Sequence, residues 1–259
     1  MFKFIFDLFG ETVWYKGFVF TEVKNIGWYF AVMLGIAFSA YILGSVNSAV
    51  IFSKLMYGED IRTKGSGNAG MTNMMRNYGK GPAALTLVCD MLKTLVAMAI
   101  GTALFGINGA YIAGLFAIVG HVLPVFYGFK GGKGVASTAM VILYLNPIVF
   151  LILFLLFVLI VWSTKYLSLG SVICVLLFPL LMNRFDIIPE DNILRLILTL
   201  IIAGIVFFKH RTNISRIMSG TESKFSFKKT AKRPKADETA EAESEEEAEV
   251  AEAEDNEEK

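Results

Sequence analysis

The chain has 259 residues, of which 55% are apolar and only 18% charged, and its mean hydropathy is +0.58. An ordinary soluble domain is excluded, because uncharged apolar runs such as 147–161 recur along most of its length. Thirteen of the 23 acidic residues fall between Asp237 and Glu258, which leaves ten acids against 23 Lys and Arg in residues 1–236: a basic apolar body with an acidic tail.

Cys89 and Cys174 both lie in apolar stretches, which excludes a disulfide framework. The first 20 residues lack a basic start, a long apolar core and a small-residue cleavage site, so no cleavable signal peptide is expected. Residues 1–27 are aromatic-rich but broken by Asp7, Gly10, Glu11, Lys16 and Glu22, and read as an interfacial or peripheral extension. Apolar spans follow at 28–57, 82–104, 109–127, 134–146, 148–164, 171–183 and 192–208. A hydrocarbon core of ~30 Å needs about 20 helical residues. The first span exceeds that length and must tilt or protrude. The fourth and sixth are too short to cross alone. Asn146-Pro147 separates the fourth from the fifth, because proline lacks the donor and disfavours helix in the residue before it.

Basic residues give the orientation. Arg62, Lys64, Arg76 and Lys80, then Lys130 and Lys133, then Lys165, then Lys209, Arg211 and Arg216 occupy alternate connections, whereas the turns near 105–108 and 146–147 carry none. The positive-inside bias therefore predicts an all-α polytopic membrane protein of about seven spans, N-terminus outside and C-terminus cytoplasmic. Five spans, with the short pair re-entrant, would preserve that arrangement; six would not. The body is expected to cover 28–229. Residues 230–259, rich in Ala and Glu, are expected to be disordered.

Polar stretches interrupt this frame at 44–45, 60–79, 120–137, 165–171 and 209–224. Gly65-Ser66-Gly67-Asn68-Ala69-Gly70 fits G-x-G-x-x-G but lies in no βαβ unit, so a dinucleotide site is not expected. Its glycines, with Ser66, Asn68, Thr72, Asn73 and the cations Arg62, Lys64 and Arg76, have the composition of an anion cradle, backed by a helix starting near Met71. Phe129-Lys130-Gly131-Gly132-Lys133-Gly134 reads as a second cradle and does not meet the P-loop pattern. Gly131, Gly132 and Gly134 permit close backbone approach to a phosphate, and Lys133 adds a point charge. Two such stretches suggest a reaction between two phosphorylated species.

His121 reads as helix packing or as a catalytic group. His210, where the last span ends, has Asn213 three residues on and reads as a donor, proton acceptor or anion partner. Asp90 and Lys93, at i,i+3 inside the second span, read as a structural ion pair. No His or Cys spacing suits a metal. An organophosphate transporter is disfavoured because the ionisable groups lie at one face rather than in repeated halves.

Gly65–Asn73 followed by Arg76, Gly120-His121 with Pro124 and FKGGKG, and His210–Gly220 with Thr221-Glu222 together resemble the bacterial acyl-phosphate:glycerol-3-phosphate acyltransferase family over roughly residues 40–225. The resemblance implies an integral enzyme of the cell membrane, with its active site facing the cytoplasm. It would move a fatty acyl group from acyl phosphate to the 1-hydroxyl of sn-glycerol 3-phosphate, giving lysophosphatidic acid and phosphate as the first acylation of phospholipid synthesis. It implies Ser66, Arg76, Lys133, Ser171, His210 and Asn213 as pocket residues, with Asn68, Thr72 and Asn73 in the same matched stretch. No cofactor, metal or nucleic-acid partner is expected; membrane lipid is. An acyl phosphate carries a good leaving group, and no Ser–His–acid or Cys–His arrangement is evident, so direct attack by the glycerol hydroxyl is expected. Its proton would go to His210 or to the acceptor's own phosphate.

Overall fold

The computed structural model describes residues 26–185 and 193–225, and all regular structure among them is helical. The extension through residue 25, the acidic tail and the acid-rich turn after Phe185 lie outside the described residues. Two compact units divide the chain: residues 26–47 with 87–225, and residues 48–86.

Helix α1 (Ile26–Ser45) ends where Ser45 and Asn47, whose side chains compete for backbone hydrogen bonds, interrupt the apolar run, and α2 (Ser48–Tyr57) follows. The overlong first span is thus two helices. In the 48–86 unit, α3 (Met71–Tyr78) starts at the expected residue, and Tyr78 stacks on Tyr57 of α2 at a centroid distance of 4.0 Å.

Helix α4 (Lys80–Val122) covers the second and third spans and is broken at Phe105 (φ −138°) and Gly106 (φ 58°). A straight helix would hold Asp90 and His121 about 46 Å apart. Their side chains approach to 3.6 Å, so the two arms fold back on each other as a hairpin. A Cβ on Gly101 would overlap the Gly109 carbonyl, and one on Gly109 the Gly101 carbonyl; bare backbones make the hairpin close. Gly44 of α1 meets Ala117 of the second arm in the same way. In lipid, where apolar burial between helices gains little, such small-residue contact is the principal attraction.

Helix α5 (Val135–Leu145) is short, as expected, and about 17 Å long. Asn146 then caps α6 (Pro147–Thr164) by accepting from Ile148 and Val149 N–H at 3.1 Å each, with proline at the first helical position. Apolar on all sides, α6 exposes Leu151, Leu155, Leu159 and Trp162. Helix α7 (Leu167–Arg184) corrects the sixth span: it has 18 residues rather than 13, because Ser168, Gly170 and Ser171 form its first turn instead of a loop. Helix α8 (Ile193–Lys209) and α9 (Arg211–Met218) meet at 53° around His210. Among the described residues, four stretches are long and apolar enough to cross a membrane, or five if the bent α8–α9 pair counts as one. The core of the larger unit holds Ile36, Met98, Ile118, Phe178 and Ile202, all fully buried.

Replacing Gly109 with Val should prise the α4 arms apart and cost about 1–3 kcal/mol, the usual range for overpacking. Gly35→Ala, whose added Cβ meets nothing within 4 Å, should leave stability unchanged or slightly raised. Thermal unfolding of the two variants in detergent reads the difference.

Candidate active site

In the 48–86 unit the segment 60–70 is a tightly tied loop. Asp60 caps the single turn Ile61–Thr63, accepting from the Arg62 N–H at 3.0 Å, and its carboxylate pairs with the Arg62 guanidinium at 2.7 Å. Lys64 pairs with Glu59 at 2.6 Å. Two of the cations counted toward an anion cradle therefore already carry carboxylate partners. Asn73, buried, accepts from the Ser66 N–H at 3.0 Å and from the Asn77 amide at 3.1 Å, and donates to the Ile61 and Lys64 carbonyls. Both its N–H groups and both lone pairs are engaged in shaping the loop. Gly65 (φ +54°) lies against this amide, where any Cβ would clash with Asn73 Oδ1. By contrast, the side chains of Ser66, Asn68, Thr72 and Arg76 make no hydrogen bond or ion pair among the described residues. Ser66 is exposed and Arg76 half-buried on α3.

The larger unit contains the rest of the sequence-derived set. The second arm of α4 ends at Val122, and the chain returns through Pro124 to the glycine segment. The Gly132 N–H donates to the His121 carbonyl at 3.1 Å. Gly131 lies so close to that carbonyl and to Pro124 that a Cβ could not fit. Gly134 (φ +84°) then starts α5 without a side-chain cap, leaving first-turn N–H groups without a capping side chain behind Lys133. One turn on, the buried hydroxyls of Ser137 and Thr138 have no hydrogen-bond partner among the described residues.

Lys133 Nζ donates to Asn213 Oδ1 of α9, and Asn213 Nδ2 donates to Glu222 Oε1 at 2.7 Å. The amide orientation follows from its neighbours, since an ammonium only donates and a carboxylate only accepts. Glu222 Oε1 also accepts from the Ser168 hydroxyl at 2.6 Å, and Oε2 from Arg216 Nε at 2.8 Å. Burial works to raise the Glu222 pKa, but these three donors outweigh it and hold the carboxyl below its ordinary range. Lys133, Asn213, Glu222 and Ser168 thus form one chain of hydrogen bonds.

His210 follows the last residue of α8 and is 2% exposed. Its Nδ1 lies 2.7 Å from the Val206 carbonyl, which can only accept, so Nδ1 carries the proton and Nε2 is left as an acceptor. Burial, countered in part by that carbonyl and Glu222 and reinforced by Lys133, pushes the imidazole down to about 4.

The Glycerol-3-phosphate acyltransferase family profile matches residues 34–220. The chain belongs to that family. It is 40% identical over 199 residues to a Finegoldia magna glycerol-3-phosphate acyltransferase and 40% over 200 residues to one from Clostridioides difficile, in each case with 75% of this chain and 96% of the relative covered. Two crystal structures of PlsY (YgiH), described as an integral membrane glycerol 3-phosphate acyltransferase, superpose on it. The glycerol 3-phosphate form gives a TM-score of 0.70 at 34% identity over 75% of this chain and 96% of that one. The lysophosphatidic acid form gives 0.67 at 32% over 76% and 96%.

Within this acyltransferase, sequence reasoning missed Ser168. Ser171 bonds the Leu167 carbonyl of its own helix at 2.9 Å, whereas Ser168 joins the Glu222 cluster. Both belong to Lys-Tyr-Leu-Ser-Leu-Gly-Ser, and only the helix register, which turns Ser168 toward Glu222, separates them. Glu222 entered the sequence reading as part of a motif; its signal as a hub was a lone acid among the cations of 209–224.

Because the shift is downward, His210 should remain neutral from about pH 8 to about pH 5 and protonate only below that. Histidine ring resonances of isotope-labelled protein would read this, and a His210 midpoint near the ordinary ~6.5 would contradict it.

Proposed function

We propose that this acyltransferase forms lysophosphatidic acid by transferring a fatty acyl group from acyl phosphate to the 1-hydroxyl of sn-glycerol 3-phosphate. The new bond joins the acyl carbon to the glycerol oxygen; the bond broken joins that carbon to the phosphate oxygen, and inorganic phosphate leaves. The observation that carries the reading is the relay from Glu222 through Asn213 to Lys133, beside a neutral His210. It offers a cation and oriented dipoles but no activated nucleophile, which suits an already activated donor.

In this reading Lys133, the Gly131, Gly132 and Gly134 backbone and the first turn of α5 receive the donor phosphate. The unpartnered hydroxyls of Ser137 and Thr138 support an anion there. Ser66 and Arg76, with Asn68 and Thr72, receive the acceptor phosphate. Asn73 serves by holding that loop and Ser171 by its place in α7. His210 Nε2 accepts from the 1-hydroxyl and orients it. An imidazole of pKa about 4 is a weaker base than a phosphate group of pKa about 6, so the proton goes to phosphate.

The membrane frame belongs to the same proposal. Seven crossings arise when α1 with α2 counts as one, the arms of α4 as two, and α5 to α8 as four. The N-terminus is outside, and the site faces the cytoplasm of a cell membrane. Residues 1–27 and 230–259 flank a catalytic body of 28–229. The hairpin in α4 and the alternation of basic connections support this count.

Purified full-length protein, given palmitoyl phosphate and labelled glycerol 3-phosphate without nucleotide or added metal, should form labelled lysophosphatidic acid. Product from palmitoyl-CoA alone would overturn the donor assignment. Lys133→Ala should lower kcat/KM by about 2–5 kcal/mol, the range for truncating one partner of a buried charged pair. His210→Ala should raise the glycerol 3-phosphate KM about tenfold as an orienting contact is lost. An effect on kcat alone would make it the base instead.

A further inference from the structure

Lys93 lies inside the first arm of α4 with its side chain only 9% exposed. An ammonium has three N–H donors, and here each has an acceptor: Asp90 Oδ1 at 2.8 Å, the Val46 carbonyl at 2.6 Å and His121 Nδ1 at 3.1 Å. The three acceptors come from the same arm, from the break between α1 and α2, and from the end of the second arm. Asp90 supplies the counter-charge that a buried lysine requires, with its own side chain 3% exposed.

His121 carries this tripod to the glycine segment. Its ring is held by Lys93 and lies 3.6 Å from Asp90, while its carbonyl accepts from Gly132 N–H and packs against Gly131 too tightly for any Cβ. A rotation of the His121 peptide would displace both glycines. A generic structural ion pair could lie anywhere along two long helices; this one ends on the residue that touches the cradle.

We infer that Lys93 and Asp90 act through His121 as positioning residues for the Gly131–Gly132 backbone that seats the donor phosphate. The inference rests on the proposed role of that backbone. It makes the tripod a determinant of donor binding, not of acceptor binding. With the Gly132 N–H committed to the His121 carbonyl, any shift of that carbonyl carries the neighbouring backbone and the root of Lys133 with it, and misplacement by fractions of an ångström is costly to reaction as well as to binding.

The test uses full-length protein in nanodiscs and steady-state kinetics with each substrate varied in turn. The double variant Asp90→Asn/Lys93→Met removes both charges and so avoids leaving a lone buried ion. It should raise the palmitoyl phosphate KM about tenfold, with the glycerol 3-phosphate KM within about twofold of wild type. His121→Gln should give the same split. Lys93→Arg keeps the charge but replaces a three-way donor with a planar fork, so it should give a smaller rise of the same kind, and it reads the split if the double variant does not insert. Both KM values unchanged, or both rising together, would overturn the positioning role. Wild-type turnover with palmitoyl phosphate, run alongside, tests the donor assignment by itself: its absence removes the proposed function, whereas an active wild type with unsplit variants removes only this inference.

Discussion

A carboxylate enclosed by protein must find donors or it destabilises the fold by several kcal/mol. Glu222, 8% exposed, finds three: Ser168 from the first turn of α7, and Asn213 and Arg216 from α9. Their direction propagates. With Nδ2 committed to Glu222, Asn213 can present only Oδ1, and that oxygen receives Lys133. The lysine is thereby aimed by a group it does not touch. Replacing this network with apolar packing could hold α7 and α9 together equally well, but it would leave Lys133 without a fixed direction.

The remaining geometry follows from how helices associate where water is absent. Apolar side chains gain little from one another when lipid is the alternative, so close backbone approach and satisfied polar groups do the joining. Gly101 against Gly109 brings the arms of α4 together, and Asp90, Lys93 and His121 then meet across them. The second arm ends where His121 offers its carbonyl to Gly132. The hairpin thus fixes both a membrane element and the start of the glycine segment.

Much of this was legible in the residues because lipid imposes a simple rule on composition. Apolar runs marked the helices. Asn146-Pro147 marked a boundary, since an amide cap followed by proline has little other use there. The start of α3 at Met71 followed from the glycines before it. One reading failed, and another was incomplete, for related reasons. The sixth span looked too short because hydropathy counts Ser168, Gly170 and Ser171 as loop, although a helix tolerates the two serines when their hydroxyls bond a carboxylate or a carbonyl. Composition also does not show that Arg62 and Lys64, read as cations of an anion cradle, are paired with Asp60 and Glu59.

Composition, charge placement and three ordered motifs sufficed to determine an all-helical membrane protein and its family, because bilayer thickness and phosphate chemistry each restrict residue type strongly and locally. Which of two serines three residues apart reaches Glu222, which face of Asn213 meets Lys133, and which ring nitrogen of His210 bears the proton were decided only in three dimensions. Those choices depend on helix register and on partners distant in the chain, such as Lys133 and Asn213, separated by 80 residues. A linear pattern supplies the groups; the packed helices supply their directions.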